Sequence, residues 1–448
     1  MLSLSELKNL IEKGEIHTVV VGAVDMQGRL VGKRIHGPFY LADTINNGTE
    51  GCNYLLAVDA DMNTIQGYDF TSWDKGYGDM VMTPEKDRFQ IIDWHDGSVF
   101  VIADLNDHHG HGIKISPRQI LKNQLEKLKE NNLQALCGTE LEFIVFEDSY
   151  EAGFKNKYQN LTPVNLYNVD YSLLGTGRVE GLLKEIRLGM ANAGLVVESV
   201  KGECNFGQHE IAFRYKDALS TCDDHSLYKL GAKEIAAKLG YSLTFMAKFN
   251  EREGNSCHIH LSFRDLLDNP ILAGEGRYGL SEAGESFIAG IQKHMKELTL
   301  LFAPNINSYK RYQPDTFAPT AIKWGPDNRT CALRLVGHGK SLRLENRVPG
   351  GDVNPYLAVA GMIAAGLDGM KNKLVLEDPL LGNAYTSESE RVPTTLLAAH
   401  KLFSESAWIK ETFGDEVQKH YSHMAEVEID AFNRAVTDWE RVRGFERF

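Results

Sequence analysis

Ser341-Leu342-Arg343-Leu344-Glu345-Asn346-Arg347 alternates, and residues two apart in a strand share one face. Arg343, Glu345 and Arg347 therefore project together. Two guanidiniums beside one carboxylate suit a site that holds a cation against the acid and anionic groups against the arginines. A surface ladder of ion pairs is the alternative. Two further stretches repeat the pattern. Gly138-Thr139-Glu140-Leu141-Glu142-Phe143-Ile144-Val145-Phe146 sets Glu140 and Glu142 on one face and Leu141, Phe143 and Val145 on the other. Adjacent like charges destabilise a strand unless a cation neutralises them. Cys257-His258-Ile259-His260-Leu261-Ser262 sets His258, His260 and Ser262 together. Three such strands predict one polar cavity lined by a sheet.

The chain has 448 residues, which predicts two domains. Its 43% hydrophobic and 24% charged residues suit a soluble globular protein. A net charge of −13 argues against nucleic acid as the main partner. The longest apolar run, Tyr356 to Leu367, is too short to span a bilayer and reads as a buried helix. The N-terminus, Met1-Leu2-Ser3-Leu4-Ser5-Glu6, does not read as a signal peptide, so a cytoplasmic protein is expected. The six cysteines are dispersed and form no CxxC pair. They read as reduced thiols, and Cys204 and Cys257 as small buried groups more than as nucleophiles.

Along the chain, Ser3–Lys13 reads as a helix, and His17–Val24 and Arg29–Ile35 as strands about an Asp25–Gly28 turn. Asn46–Gly78 is long, irregular and rich in Gly, Asp and Asn, the mark of a functional or interface segment. Strands follow at Arg88–Asp93 and Ser98–Ala103. Asp107-His108-His109-Gly110-His111-Gly112 reads as a solvated boundary, giving domains 1–107 and 117–448 joined by a 108–116 linker. Ser116-Pro117 then opens a helix with Leu121, Leu125 and Leu128 on one face. Strands and helices alternate beyond it, with helices expected at Gly177–Ala193, Leu227–Leu239 and Ala283–Leu301. The tail, Asp415–Val442, reads as one long amphipathic helix.

The remaining acids, Glu198, Glu203 and Glu210, cluster in one run. Several Glu with one or two His and no coordinating Cys favour Mg²⁺ or Mn²⁺ over structural zinc. Two such ions would clamp phosphate oxygens in phosphoryl transfer. No Gly-x-x-x-x-Gly-Lys-Ser/Thr loop is present, so a nucleotide site here is not a P-loop. Arg311, Arg329, Arg334, Arg343 and Arg347 supply the cationic side.

The order of these motifs resembles the glutamine synthetase superfamily over nearly the whole chain. The matching marks are Glu140-Leu-Glu142, Glu203 with Gly207-Gln208-x-Glu210, Gly254-Asn-Ser-Cys-His258-Ile-His260-Leu-Ser262, Asn307-Ser-Tyr-Lys-Arg311, Asn328-Arg329, and Arg343-Leu-Glu345-Asn-Arg347 before Asn354-Pro355. The resemblance implies an α+β protein: an N-terminal β-grasp domain, then a catalytic domain whose curved antiparallel sheet forms a half-barrel or funnel with helices. It implies that ATP phosphorylates the γ-carboxylate of L-glutamate and that an amine then displaces phosphate. Glu142, Glu203 and Glu210 match one metal set, and Glu140, His258 and Glu345 the other. Glu198, His260, Ser262, Arg334, Lys340 and Arg343 match nucleotide positions. Gly254, His258, Arg311 and Arg347 match glutamate positions, and Arg329 matches the arginine that steadies the transferred phosphate. Two or more Mg²⁺ or Mn²⁺ ions per site are implied, as are stacked six-membered rings with sites shared between subunits.

One departure bears on the substrate. Glutamine synthetases carry a glutamate six residues after the arginine of the Tyr309-Lys310-Arg311 motif, where it forms the ammonium site. Here that position is Phe317. A phenyl ring cannot take a proton, although it can pack on the carbon body of a larger amine. The expected amines are ethanolamine, polyamines, alkylamines or arylamines, and the ending Thr437-Asp438-Trp439-Glu440-Arg441 resembles the γ-glutamylpolyamine synthetase branch. A catalytic acid is expected from the Asn46–Gly78 loop of a neighbouring copy, with Asp59 or Asp61 as candidates. Tyr385 matches the adenylylated tyrosine of some bacterial members poorly. The alternatives are a true glutamine synthetase whose base has moved, with Asp315 as the candidate, and a catalytically inactive structural or regulatory relative.

Overall fold

A computed structural model describes residues 1–448. β1 (Thr18–Val24) and β2 (Leu30–His36) form a hairpin. Asp25 closes its turn by accepting the amides of Gln27 and Arg29 at 3.0 and 2.8 Å. With β3 (Thr49–Cys52), β4 (Asp79–Pro84), β5 (Gln90–Ile91) and β6 (Ser98–Asn106), the hairpin makes a sheet in the order β2-β1-β6-β4-β3, with β5 on β6. β1 and β6 run parallel and the other pairs antiparallel. The strand expected over Arg88–Asp93 shrinks to Gln90–Ile91, because the chain turns back through His95 N to Ile92 O and Ser98 N to His95 O.

The second sheet contains β7 (Leu133–Phe146), β8 (Val197–Gly202), β9 (Gln208–Phe213), β10 (Lys216–Asp217), β11 (Ser242–Thr244), β12 (Cys257–Asp265), β13 (Trp324–Pro326), β14 (Leu333–Val336) and β15 (Arg343–Asn346). Its order is β13-β14-β15-β12-β7-β9-β8, with β10 and β11 also paired to β7. It is antiparallel apart from β13 and β14, which run parallel at one edge. Leu141, Phe143, Ile259, Leu261 and Leu344 are buried, as alternation requires of one face. Helices 117–130 and 218–238 pack on β7, and helix 355–371 lies against helices 117–130 and 282–302. Helices 282–302 and 355–371 touch backbone to backbone: a Cβ on Gly290 would stand 2.1 Å from the Ala365 carbonyl oxygen. The apolar run from Tyr356 lies within the buried helix Pro355–Lys371, and no helix is long and apolar enough to cross a membrane.

Two helices differ from their sequence reading. The one expected at Leu227 starts at Ala218, with Asp217 capping the Ser220 amide at 2.9 Å. Its first turns carry buried Asp223, Asp224 and His225, which read as non-helical but find partners on other elements. The tail is two helices, Asp415–Arg434 and Asp438–Gly444. Thr437 and Glu440 form a capping box that starts the second afresh.

The Asp107–Gly112 segment is a tight turn, in which Asp107 accepts the amides of His109 and His111. The two sheets are joined by a buried ionic network. Arg118 donates to both oxygens of Asp223, at 3.0 and 3.1 Å, and also binds Asp104 of β6. Tyr356 donates to Asp223 at 2.7 Å, Arg88 bridges Asp223 and Asp224, and Lys216 reaches Asp224 at 2.7 Å. The Asn46–Gly78 segment rests on the C-terminal helix, where Tyr68 packs 4.6 Å from both His420 and His423.

Breaking a buried pair on one side strands the other charge at a cost of about 3–5 kcal/mol. Arg118→Met should therefore lower the urea midpoint strongly, while Lys8→Met, which loses only an exposed pair with Glu12, should leave it unchanged. Equal midpoints for the two variants would show that the network carries no stability.

Candidate active site

The register of the second sheet places the polar residues in adjoining rows. Lys201 of β8 pairs with Glu210 of β9, which pairs with Glu142 of β7. Two residues along β7, Glu140 pairs with His258 of β12. Two residues further along β12, His260 pairs with Glu345 of β15, which pairs with Arg334 of β14. The three strands singled out from sequence thus bring Glu, His and Arg onto one face.

Glu142, Glu203 and Glu210 form the first group, with carboxylate oxygens within 4.8 Å of one another. Glu142 is fixed by the Ser256 amide at 2.7 Å and by Gln208 Nε2 at 3.1 Å. Burial, with Glu203 beside it, pushes the Glu142 carboxyl up to about 8. Burial raises Glu210 well above the carboxylate range, with Glu140 adding to it, and burial raises Glu203 also. Lys201 donates to Glu203. The hairpin turn between Glu203 and Gln208 fixes this geometry, with Glu203 N donating to Gln208 O at 2.9 Å.

Glu140, His260 and Glu345 form the second group, again within 4.8 Å. His260 Nε2 lies 2.9 Å from Glu140, and its Nδ1 accepts from Arg343 Nε at 3.2 Å. His258 Nδ1 stands 3.4 Å from Glu140 and 3.5 Å from Glu345, so both histidines border this group. Burial and the neighbouring Arg347 push His258 down to about 4, so it is neutral at pH 7. Burial would raise Glu140, but hydrogen bonds from His258 and His260 outweigh it and hold the carboxyl low. Glu345 is fully buried between Arg334 Nη1 at 2.9 Å and Arg347 Nη1 at 2.5 Å. The guanidiniums flanking Glu345 are therefore Arg334 and Arg347, whereas Arg343 turns to His260.

A cavity of about 760 Å³ opens beside this group. Glu198, His260, Ser262, Lys340 and Arg343 line it, while Arg334 does not and is held between Glu345 and Asp327. Arg264 donates to the Lys340 carbonyl at 2.8 Å and so fixes that turn. Tyr215 also lines the cavity, a residue that motif spacing did not single out. Arg329 is half exposed, on a loop held by Asn328 Nδ2 donating to the Leu380 and Gly382 carbonyls at 2.9 Å.

Other expected residues are placed differently. Arg311 is buried, and its terminal nitrogens donate to the carbonyls of Arg347, Val348 and Pro349 at 2.8–3.1 Å. It braces the strand end that carries Arg347. Gly254 is required beside it, since a Cβ there would meet the Ala247 carbonyl at 2.1 Å and Arg311 Cγ at 2.9 Å. Asp59 stands apart from both carboxylate groups. Its carboxylate closes its own loop, accepting Asp61 N, Asn63 N and Asn63 Nδ2 at 2.8–3.1 Å. Phe317 is 53% exposed, with φ +54°, and its carbonyl lies 3.5 Å from Arg347 Nη2. Asp315 is exposed two residues away. The Tyr385 hydroxyl is buried. Burial also pushes the Cys204 and Cys257 thiols up to about 12, as inert groups require.

The donor set is hard carboxylate oxygen with imidazole nitrogen and no thiolate in either group of Glu residues, which fits Mg²⁺ or Mn²⁺. Residues 114–443 match the family model for the glutamine synthetase catalytic domain. The chain is 58% identical over 446 residues to gamma-glutamylethanolamide synthetase GlnA4 of Streptomyces coelicolor, covering 100% of this chain and 96% of that one. It is 36% identical to a glutamate–isopropylamine ligase of a Pseudomonas species, covering 98% and 97%. Among solved structures it resembles apo GmaS, with a TM-score of 0.86, 26% identity and coverage of 98% and 99%. By motif order, sheet register and these matches, the chain belongs to the glutamine synthetase family.

Proposed function

We propose that this chain joins the γ-carboxylate of L-glutamate to a small primary amine, with ATP cleaved to ADP and phosphate, and that ethanolamine is its first candidate substrate. The observation that carries the reading is Phe317 in place of the family's ammonium-site glutamate. The 58% and 36% identical relatives, a gamma-glutamylethanolamide synthetase and a glutamate–isopropylamine ligase, support it.

In the reaction, a γ-carboxylate oxygen of glutamate bonds to the γ-phosphorus of ATP and ADP leaves. The amine nitrogen then bonds to the acyl carbon of the γ-glutamyl phosphate, phosphate leaves with the C–O bond pair, and the nitrogen gives up a proton. ATP would lie in the cavity lined by Glu198, Ser262, Lys340 and Arg343. Glu142, Glu203 and Glu210 would hold one divalent ion, and Glu140, Glu345 and the flanking His258 and His260 the other. The ions supply charge neutralisation for the phosphates. Arg329 and Arg347 add fixed positive charge where negative charge develops, so catalysis is positioning and electrostatics more than covalent work. Arg311 acts through Arg347.

Asp59 would serve a neighbouring copy, as in a ringed homo-oligomer. An aromatic patch on the same segment supports this, with Trp73 65% exposed and packed edge-on at 5.1 Å from Tyr77.

Phosphate release should be measured with ATP, Mg²⁺ and L-glutamate, testing ammonium and an amine panel side by side. Release with ethanolamine or another amine and little with ammonium is expected; ammonium as the best acceptor would make the protein a glutamine synthetase. Phe317→Glu should shift the ratio toward ammonium by about tenfold or more. An unchanged ratio would place Phe317 outside the amine pocket.

The metal groups also predict a pH effect. Glu142 rises from 4.5 to about 8 on folding, so the native state holds the proton more tightly. That contribution to stability is present below the unfolded value and lost as pH rises through about 8. Metal-free protein should therefore lose melting temperature between about pH 5 and 8, and Mn²⁺ should flatten the fall while releasing protons. A fall equally steep with and without Mn²⁺ would contradict the assignment.

A further inference from the structure

Three carboxylates converge at Glu142, Glu203 and Glu210, and Lys201 is the single basic side chain hydrogen-bonded to any of them. Lys201 and Glu203 lie two residues apart at the end of β8, so their side chains leave on the same face. The Lys201 backbone pairs with Glu210 across the ladder. Its ammonium also stands 4.8 Å over the Tyr171 ring. At 25% exposure the Lys201 side chain is held but not enclosed.

The second group is neutralised differently. Glu345 is clamped by Arg334, itself tied to Asp327, and by Arg347. Planar guanidiniums held at several points are fixed parts of the wall, whereas an ammonium on a flexible four-carbon arm can leave. The outer side of Lys201 offers places to go, the exposed Tyr171 ring and the Asp170 carboxylate near Glu203.

We propose that Lys201 is a tethered counter-ion of the Glu142–Glu203–Glu210 group, and that a divalent ion binds there by displacing its ammonium from Glu203. The metal and the lysine then compete for one carboxylate, which lowers the affinity of this group for the ion below what its three carboxylates alone would give. The carboxylate oxygens of Glu142, Glu203 and Glu210 lie within 4.8 Å of one another, so their joint ionisation is favoured only with a cation beside them, the ammonium or the metal. The proposal rests on the metal reading above and not on the identity of the amine.

The test is a Mn²⁺ titration of EDTA-treated full-length protein at about pH 8, with free Mn²⁺ read by electron paramagnetic resonance. Wild type should show two classes of site. Lys201→Met should tighten one class by about tenfold or more and leave the other unchanged. Lys201→Arg, which keeps the charge, should stay close to wild type. If Lys201→Met gives no cooperative melt, Lys201→Gln carries the same expectation. Wild-type or weaker Mn²⁺ binding in the neutral variants would overturn the proposal, as would an arginine variant as tight as the methionine one. Glu203→Gln separates the two readings. Loss in that variant of the class that Lys201→Met tightens supports the metal assignment, and retention of both classes overturns that assignment together with the role of Lys201.

Discussion

Mutual repulsion among buried carboxylates is the constraint on which the rest of this structure depends. Glu140 and Glu142 of β7, Glu210 of β9 and Glu345 of β15 lie on one face of the sheet, and Glu142, Glu210 and Glu345 are buried. Such a face is unstable by itself. The opposite face holds it in place, since Leu141, Phe143, Ile259 and Leu344 are buried. A slip of one residue in β7 would send Glu140 and Glu142 into that core and Leu141 into the cavity. The hydrophobic core therefore sets the register, and the register assembles the charges. Each charge then needs its own partner, which is why arginine, histidine and lysine recur around the rows.

The same logic extends behind the sheet. Asp223 and Asp224 open helix 218–238 with two negative charges in the interior, tolerable because Arg88, Arg118 and Lys216 converge on them. Arg88 comes from the chain between the first sheet's strands and Arg118 from the first helix after it. Lys216 lines the 760 Å³ cavity at its other end. A wall of the proposed nucleotide site is thus tied by one contiguous network of hydrogen-bonded charges to the N-terminal sheet.

Period-two alternation made the three site strands legible, because chemistry and strand geometry share that period. Motif order then identified the family, where each motif alone was ambiguous. What escaped was set by tertiary partners. Arg334 flanks Glu345 from a different strand, and no spacing within 341–347 could reveal it. The start of helix 218–238 looked polar because its acids are satisfied by residues about a hundred or more positions away. Asp59 read as a free acid, although Asp-x-x-x-Asn is also the pattern of a loop that closes on its own amides. The break in the tail was readable from Thr437-x-x-Glu440, but the apolar period across it masked the cap. Lys201 was in plain view, and only the β8–β9 register shows which acids it faces.

The identity of residue 317 bears on selectivity through unequal magnitudes. An ammonium ion has no carbon to bury, so its affinity must come from charge. A carboxylate at about 4 Å contributes about 4 kcal/mol at the effective dielectric near a protein surface. The two methylenes of ethanolamine contribute about 0.8 kcal/mol each when buried. A protonated primary amine loses that same charge term when Phe317 replaces the acid, so on the proposed reading it is the buried carbon, which ammonium lacks, that favours the larger amine. The ring must also be held at the site to act. Phe317 has φ +54°, a conformation costly for a residue with a Cβ. Its carbonyl faces Arg347, which Glu345 and Arg311 fix in turn. Residue 317 is thus linked through Arg347 to buried Glu345, so the proposed amine pocket and the proposed metal site would share one anchor.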